Sequence, residues 1–137
     1  MHEQNNTQLI QSLYDAFGRG DIAFILSNVT PQTTWTMEGP STIPFAGKRT
    51  GASEIVGFFE GLDRSCTDMK LIPQHFVAQG DMVATFGRFS GAGKATGRRF
   101  DIAYAHYFQI RDGKVAAFED FNDTAALLNA LTAAAAA

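Results

Sequence analysis

Residues 98–123 (RRFDIAYAHYFQIRDGKVAAFEDFND) constrain this fold more than any other stretch. Phe100, Ile102, Tyr104, His106, Phe108 and Ile110 recur at every second position. That is the period of a strand with one buried face. Arg111-Asp112-Gly113 then offers a turn, and an antiparallel strand follows it. With a histidine inside it, the run reads as a buried sheet face that holds one titratable group.

The hairpin loop decides which residue joins the histidine. A two-residue loop, Asp112-Gly113, sets Arg111 against Lys114 and puts Glu119 on the face of His106. A three-residue loop, with Gly113 left-handed in a bulge, sets Ile110 against Lys114. Phe118 then lies opposite His106, and Asp120 lies opposite Tyr104 and diagonal to the histidine. One residue of slip exchanges Glu119 for Asp120 on the inner face. The sequence leaves both registers open and leans to the bulged form, which suits glycine at the third loop position.

Upstream, Leu9, Ile10, Leu13, Tyr14 and Phe17 form a helical stripe from Thr7 onward, ended by Gly18 and Gly20, with residues 1–6 read as loose. Asp21 can cap a short second helix carrying Ile22, Ile25, Leu26 and Val29 inward, stopped at Thr30-Pro31. Residues 33–38 read as a strand with Trp35 and Met37 on one face. Residues 39–51 read as a loop, and 52–66 as a third helix through Ile55, Phe58, Phe59 and Leu62, with Ser53 as a candidate cap. Strands over 69–79 and 82–90 turn at Gly80-Asp81 and at 91–94, and Asp123 caps a last helix. The alanine run at 133–137 can only extend or fray that helix. The resulting class is α+β: one domain, 1–137, with helices on one face of a curved sheet.

Composition narrows the partners. A net charge of −3 argues against a nucleic-acid phosphate backbone as partner. No apolar run reaches membrane-spanning length, and the single Cys66 forms no internal disulfide, which points to a reducing, cytoplasmic setting. The three histidines show no metal-ligand spacing. Gly91-Ala92-Gly93-Lys94-Ala95 lacks the register and the Ser/Thr of a phosphate loop.

Five segments, taken in order, resemble the nuclear transport factor 2-like superfamily, and most closely its SnoaL-like branch of polyketide cyclases and ketosteroid-isomerase-related proteins. They are 13–21 (LYDAFGRGD), 43–47 (IPFAG) leading to Gly51, 106–108 (HYF), 112–115 (DGKV) and 123–127 (DTAAL). The resemblance implies a cone, in which a strongly curved, mostly antiparallel sheet closes on three helices of the N-terminal half, with a short C-terminal helix and an apolar pocket inside. It implies a homodimer through the outer sheet face, where Ala103, Ala105, Tyr107 and Gln109 lie. It also implies an inward catalytic Asp seven residues after the hairpin glycine, which is Asp120, and so favours the bulged register. The sequence departs from the relatives too. The Arg/Asp pair that limonene-epoxide-hydrolase-like members of the superfamily need falls on Arg88 and Ser90, so the carboxylate for water activation is missing. The isomerase base falls on Met37, with Glu38 beside it. The isomerase tyrosine falls on Leu13, one position from Tyr14, and its protonated Asp falls roughly on His106.

Asp120 and His106 are therefore the catalytic candidates, since a carboxylate beside an imidazole can take a proton from carbon next to a carbonyl and return it. Tyr104, Phe118, Trp35, Tyr14, Met37 and Arg88 are the candidate substrate contacts. Of these, Tyr14 reads more as core with a wet tip, and Arg88 reaches the pocket only if Met82, Ala84 and Phe86 face inward. The expected function is a small cofactor-independent enzyme, cyclase- or isomerase-like, acting on an apolar carbonyl compound. The alternatives are a non-catalytic binder of an apolar ligand, or a dimeric assembly domain with a vestigial cavity.

Overall fold

The computed structural model describes residues 2–132. In chain order the elements are α1 (His2–Arg19), α2 (Ile22–Leu26), β1 (Val29–Met37), β2 (Gly47–Thr50), α3 (Ala52–Ser65), β3 (Cys66–Gln79), β4 (Met82–Gly93), β5 (Arg99–Arg111), β6 (Lys114–Asn122) and α4 (Thr124–Leu131). The strands form one curved sheet in the order β2-β1-β6-β5-β4-β3. Neighbours are antiparallel except β1 and β6, which run parallel. The architecture is the expected α+β cone, with the core between the helices and the inner sheet face.

Helix α1 begins at His2, well before the expected start at Thr7. The turn between β3 and β4 holds that polar first turn in place. The Gly80 N–H donates to Glu3 Oε2 at 2.7 Å, and His2 Nε2 lies 2.5 Å from Asp81 Oδ1. Asp21 caps α2 through the Phe24 N–H, and Asp123 caps α4 through the Ala126 N–H, both as expected. Helix α3 is not capped by Ser53. Its N-cap is Gly51, and Glu54 reaches back to the Thr50 N–H at 2.8 Å. The loop expected over 39–51 contains the short edge strand β2, whose four residues are too few to show a period. The expectation for 133–137 lies outside the described residues.

The β5–β6 hairpin follows neither register read from the sequence. Asp112 (φ 52°) and Gly113 (φ 74°) make a two-residue loop with both residues left-handed, and Arg111 faces Lys114. The register then shifts by one, with Ile110 opposite Val115 but Gln109 opposite Ala117, so Ala116 is an extra residue in β6. Beyond it Phe118 faces Phe108, Asp120 faces His106 directly, and Asn122 faces Tyr104. Asp120 is thus on the inner face, as the bulged register had it, but because of a bulge within the strand rather than in the loop.

Alternation on β4 is also settled. Val83, Thr85 and Phe89 are buried, whereas Met82, Phe86 and Arg88 are exposed. Arg88 therefore lies on the outer face, where Nε is 3.1 Å from Asp101 Oδ1 and the guanidinium also donates to the Asp101 carbonyl. It does not reach the interior. Strand β4 runs on to Gly93, past the expected turn at 91–94, since Gly93 passes against the Ala130 carbonyl and has no room for a side chain.

Gly87 is the tightest place in the sheet. A Cβ there would lie 2.1 Å from the Ile72 carbonyl oxygen and 2.8 Å from the Tyr104 hydroxyl, whose ring covers the gap on the neighbouring strand. Gly87→Ala must push backbone against backbone, and we expect it to lower unfolding free energy by about 3 kcal/mol. Urea titration checks this, and a change below about 1 kcal/mol would mean that the sheet accommodates the methyl group.

Candidate active site

The inner faces of β1, β5 and β6 and the helices α1 and α3 line a cavity of about 70 Å³. Its walls are chiefly aromatic: Trp35 stacks on Phe118 at 4.1 Å between ring centroids, with Phe58 and Phe59 packed around them. Burying each such ring contributes roughly 1.5–3 kcal/mol, so the same side chains that shape the cavity hold the fold together.

One polar chain crosses this apolar interior. His106, 6% exposed, places Nε2 3.2 Å from Asp120 Oδ1 and Nδ1 2.5 Å from the Tyr14 hydroxyl. The Tyr14 hydroxyl also bonds Thr85 Oγ1. The Asn122 amide donates to the same Asp120 oxygen at 3.1 Å. With the Asp120 carboxylate as acceptor, the ring proton sits on Nε2, Nδ1 accepts from the Tyr14 O–H, and the Tyr14 oxygen accepts from Thr85. Burial pushes the Tyr14 phenol far above its ordinary range, with the neighbouring Tyr104 adding to the effect, so it stays a donor. Tyr104 stacks on His106 at 4.0 Å, and its phenol is likewise raised, chiefly by burial.

Several groups at the cavity are left over. Among the described residues, Tyr104 Oη, Trp35 Nε1 and Asn122 Oδ1 are buried without a hydrogen-bond partner. Asp120 uses Oδ1 for both of its side-chain bonds, which leaves Oδ2 for a ligand. The lining thus offers two spare donors and two spare acceptors.

Of the residues singled out in the sequence, Asp120, His106, Tyr104, Phe118, Trp35 and Tyr14 all line the cavity. Two do not. Arg88 is outside, as described above. Met37 is buried next to Asp120 in the β1–β6 register but packs into the core behind the cavity wall. Tyr14, read as core with a wet tip, has its tip bonded inside the protein. Thr85 and Asn122 were missed. Asn122 had a signal, since it follows Asp120 by two on the same strand face. Thr85 had only its place among Val83 and Phe89. Among the described residues no group of three or more His, Cys, Asp or Glu side chains is placed to hold a metal ion.

With this geometry in hand, comparison with known families is decisive. The SnoaL-like domain matches residues 10–118. The chain belongs to the SnoaL-like family, a branch of the NTF2-like superfamily. An NTF2-like protein from Burkholderia pseudomallei K96243 is similar across 94% of this chain and 98% of its own, with 28% identity and a TM-score of 0.89. An NTF2-like protein from Burkholderia thailandensis E264 is 30% identical over 93% of this chain and 97% of its own, with a TM-score of 0.85. TerC, crystallised with polyporic acid, is 29% identical over 93% and 98%, with a TM-score of 0.85. Comparison with curated proteins finds no match.

In this SnoaL-like chain the raised phenols predict an alkaline limit. Below pH 10, the ordinary tyrosine value, Tyr14 is neutral whether folded or unfolded. Above it the unfolded chain loses the proton and the folded one keeps it, so stability falls as pH rises, by up to about 1.4 kcal/mol per pH unit for a group this strongly held. Cys66, pushed up to about 11 by burial, adds to the loss between its ordinary value and that one. Urea titrations from pH 7 to 11 should show the decline, and Tyr14→Phe should make it shallower, leaving the share of Tyr104 and Cys66, while costing about 1–3 kcal/mol at pH 7. An equal slope in the variant would contradict the buried neutral phenol.

Proposed function

We propose that this protein is a small cofactor-independent enzyme that moves a proton on an apolar carbonyl compound held in the cavity. The spare Oδ2 of Asp120, in a site otherwise walled by aromatic rings, carries the reading. Oδ2 takes a proton from the carbon beside the carbonyl. Electron density moves to the carbonyl oxygen, where an unpaired donor, the Tyr104 O–H or the Trp35 N–H, receives it. Where a carbon–carbon double bond adjoins that carbon, the enolate is a dienolate and takes the proton back at the far end of that double bond, which is isomerisation. Otherwise it attacks a second carbonyl of the same molecule, and the new alkoxide takes the proton, which is ring closure. His106 and Asn122 hold Oδ1 and so aim Oδ2. The crystallisation of TerC with polyporic acid supports an organic ligand for a fold this similar.

A second reading, a non-catalytic binder, is favoured by the closed state of the histidine: both ring nitrogens are engaged, so His106 is not itself a free base. One variant separates the two. Asp120→Asn keeps the shape of the site but removes the base. Deuterium exchange beside the carbonyl of hydrophobic ketones, followed by NMR in D2O, should fall by at least about 10²-fold, with ligand-induced thermal stabilisation retained. Undiminished exchange would remove Asp120 as the base, and ketone binding without exchange in the wild type would leave the binder.

We also propose that two copies pair through the outer sheet face. Ile72, Val77, Met82, Phe86 and Phe121 are 40–57% exposed there, and the register lines up His75, Phe86, Ala105 and Phe121 in a row across four strands. Such a patch exceeds the scattered apolar exposure of a monomer. Arg88 and Asp101 neutralise each other on the same face, so like charges do not oppose self-association. No helix among the described residues is long and apolar enough to cross a membrane, and the free, buried Cys66 suits a reducing cytoplasm. Phe86→Glu should turn a dimer into a monomer in light scattering. A monomeric wild type would remove the pairing.

A further inference from the structure

The cavity is small for the chemistry assigned to it. About 70 Å³ is well under the roughly 300–1,000 Å³ that binding sites for organic ligands usually offer. Beside it, between the end of α1, α3 and the first half of β3, lies a surface groove of about 820 Å³. Phe17, Phe59, Leu62 and Leu71 line both spaces, so the partition between them is one side chain thick.

We propose that this groove is the way into the cavity and the outer half of the binding site, taking the distal part of an elongated, uncharged apolar molecule. Only the identity of the end that reaches Asp120 rests on the function proposed above. The partition is the compliant wall of the cavity. Leu71 sits on β3, an edge strand paired only with β4, between two register irregularities, one between Thr67 and Lys70 and one between Pro73 and His75. Pro73 contributes no N–H to that ladder. Phe59 leans between Phe17 and Trp35, with centroids 6.3 and 5.7 Å away, so its rotation opens one side to the other. The walls carrying Trp35, His106 and Asp120 belong to strands paired on both sides, which cannot part without breaking the sheet. The groove's charged lining of Arg19 and Lys70 with Glu60 and Asp63 is balanced, which favours neither an anionic nor a cationic tail.

Trp35 is the only tryptophan in the chain and lies behind the partition, so its emission reports on access. Leu71→Ala should raise acrylamide quenching of Trp35 several-fold. Leu13→Ala, which enlarges the cavity without touching the groove, should leave it near the wild-type value. Equal increases in the two variants, or none in Leu71→Ala, would overturn the route. N-phenyl-1-naphthylamine, elongated, uncharged and without a carbonyl, probes the outer half. Val56→Asp in the groove should weaken its binding about tenfold, while unchanged binding would overturn the subsite. Both readouts are independent of Asp120, so Asp120→Asn should reproduce the wild-type values even where the proposed chemistry fails.

Discussion

The site depends on one inserted residue. Without Ala116, the two-residue turn at Asp112-Gly113 would carry β6 forward in even register and bring Glu119 to the inner face. The extra residue reverses every side chain after it, so that Phe118 and Asp120 turn inward and Glu119 and Phe121 turn out. The bulge is held by what it makes possible. Phe118 gains Trp35, Phe58 and Phe108 as ring partners, and Asp120 gains His106 and Asn122. A regular strand would instead set Glu119 opposite His106 and turn Phe118 outward, so its stack on Trp35 and its contacts with Phe58 and Phe108 would be lost.

The polar chain follows from the same constraint. A carboxylate on an apolar face needs donors, and the histidine opposite supplies one. The histidine then needs its second nitrogen satisfied, which draws in Tyr14 from α1, and Tyr14 draws in Thr85 from β4. Four elements are thereby tied at one point inside the cone. The groups that escape this satisfaction, the hydroxyl of Tyr104 and the indole N–H of Trp35, lie on the cavity lining.

Much of the fold was legible because its signals are periodic. The alternation from Phe100 to Ile110 marked the inner face of β5, and Ile10, Leu13 and Tyr14 marked the buried stripe of α1. The resemblance then supplied the cone and pointed to Asp120. What remained hidden is tertiary. Ala116 carries no mark of a bulge, because any small residue can be the extra one. β4 is apolar on both faces, since one face fills the core and the other is an open apolar surface, so alternation could not place Arg88. The start of α1 was lost because its first turn is polar and is held by a distant hairpin rather than by local propensity.

That attachment has its own significance. The helix that supplies Tyr14 is pinned at its far end to the tip of the longest hairpin, by Glu3 on Gly80 and His2 beside Asp81. A helix transmits displacement along its axis almost rigidly, at about 1.5 Å per residue. The orientation of the imidazole is therefore anchored partly at a solvent-facing loop some three turns away, so His2 and Glu3 are mechanical parts of the candidate site rather than a dispensable overhang.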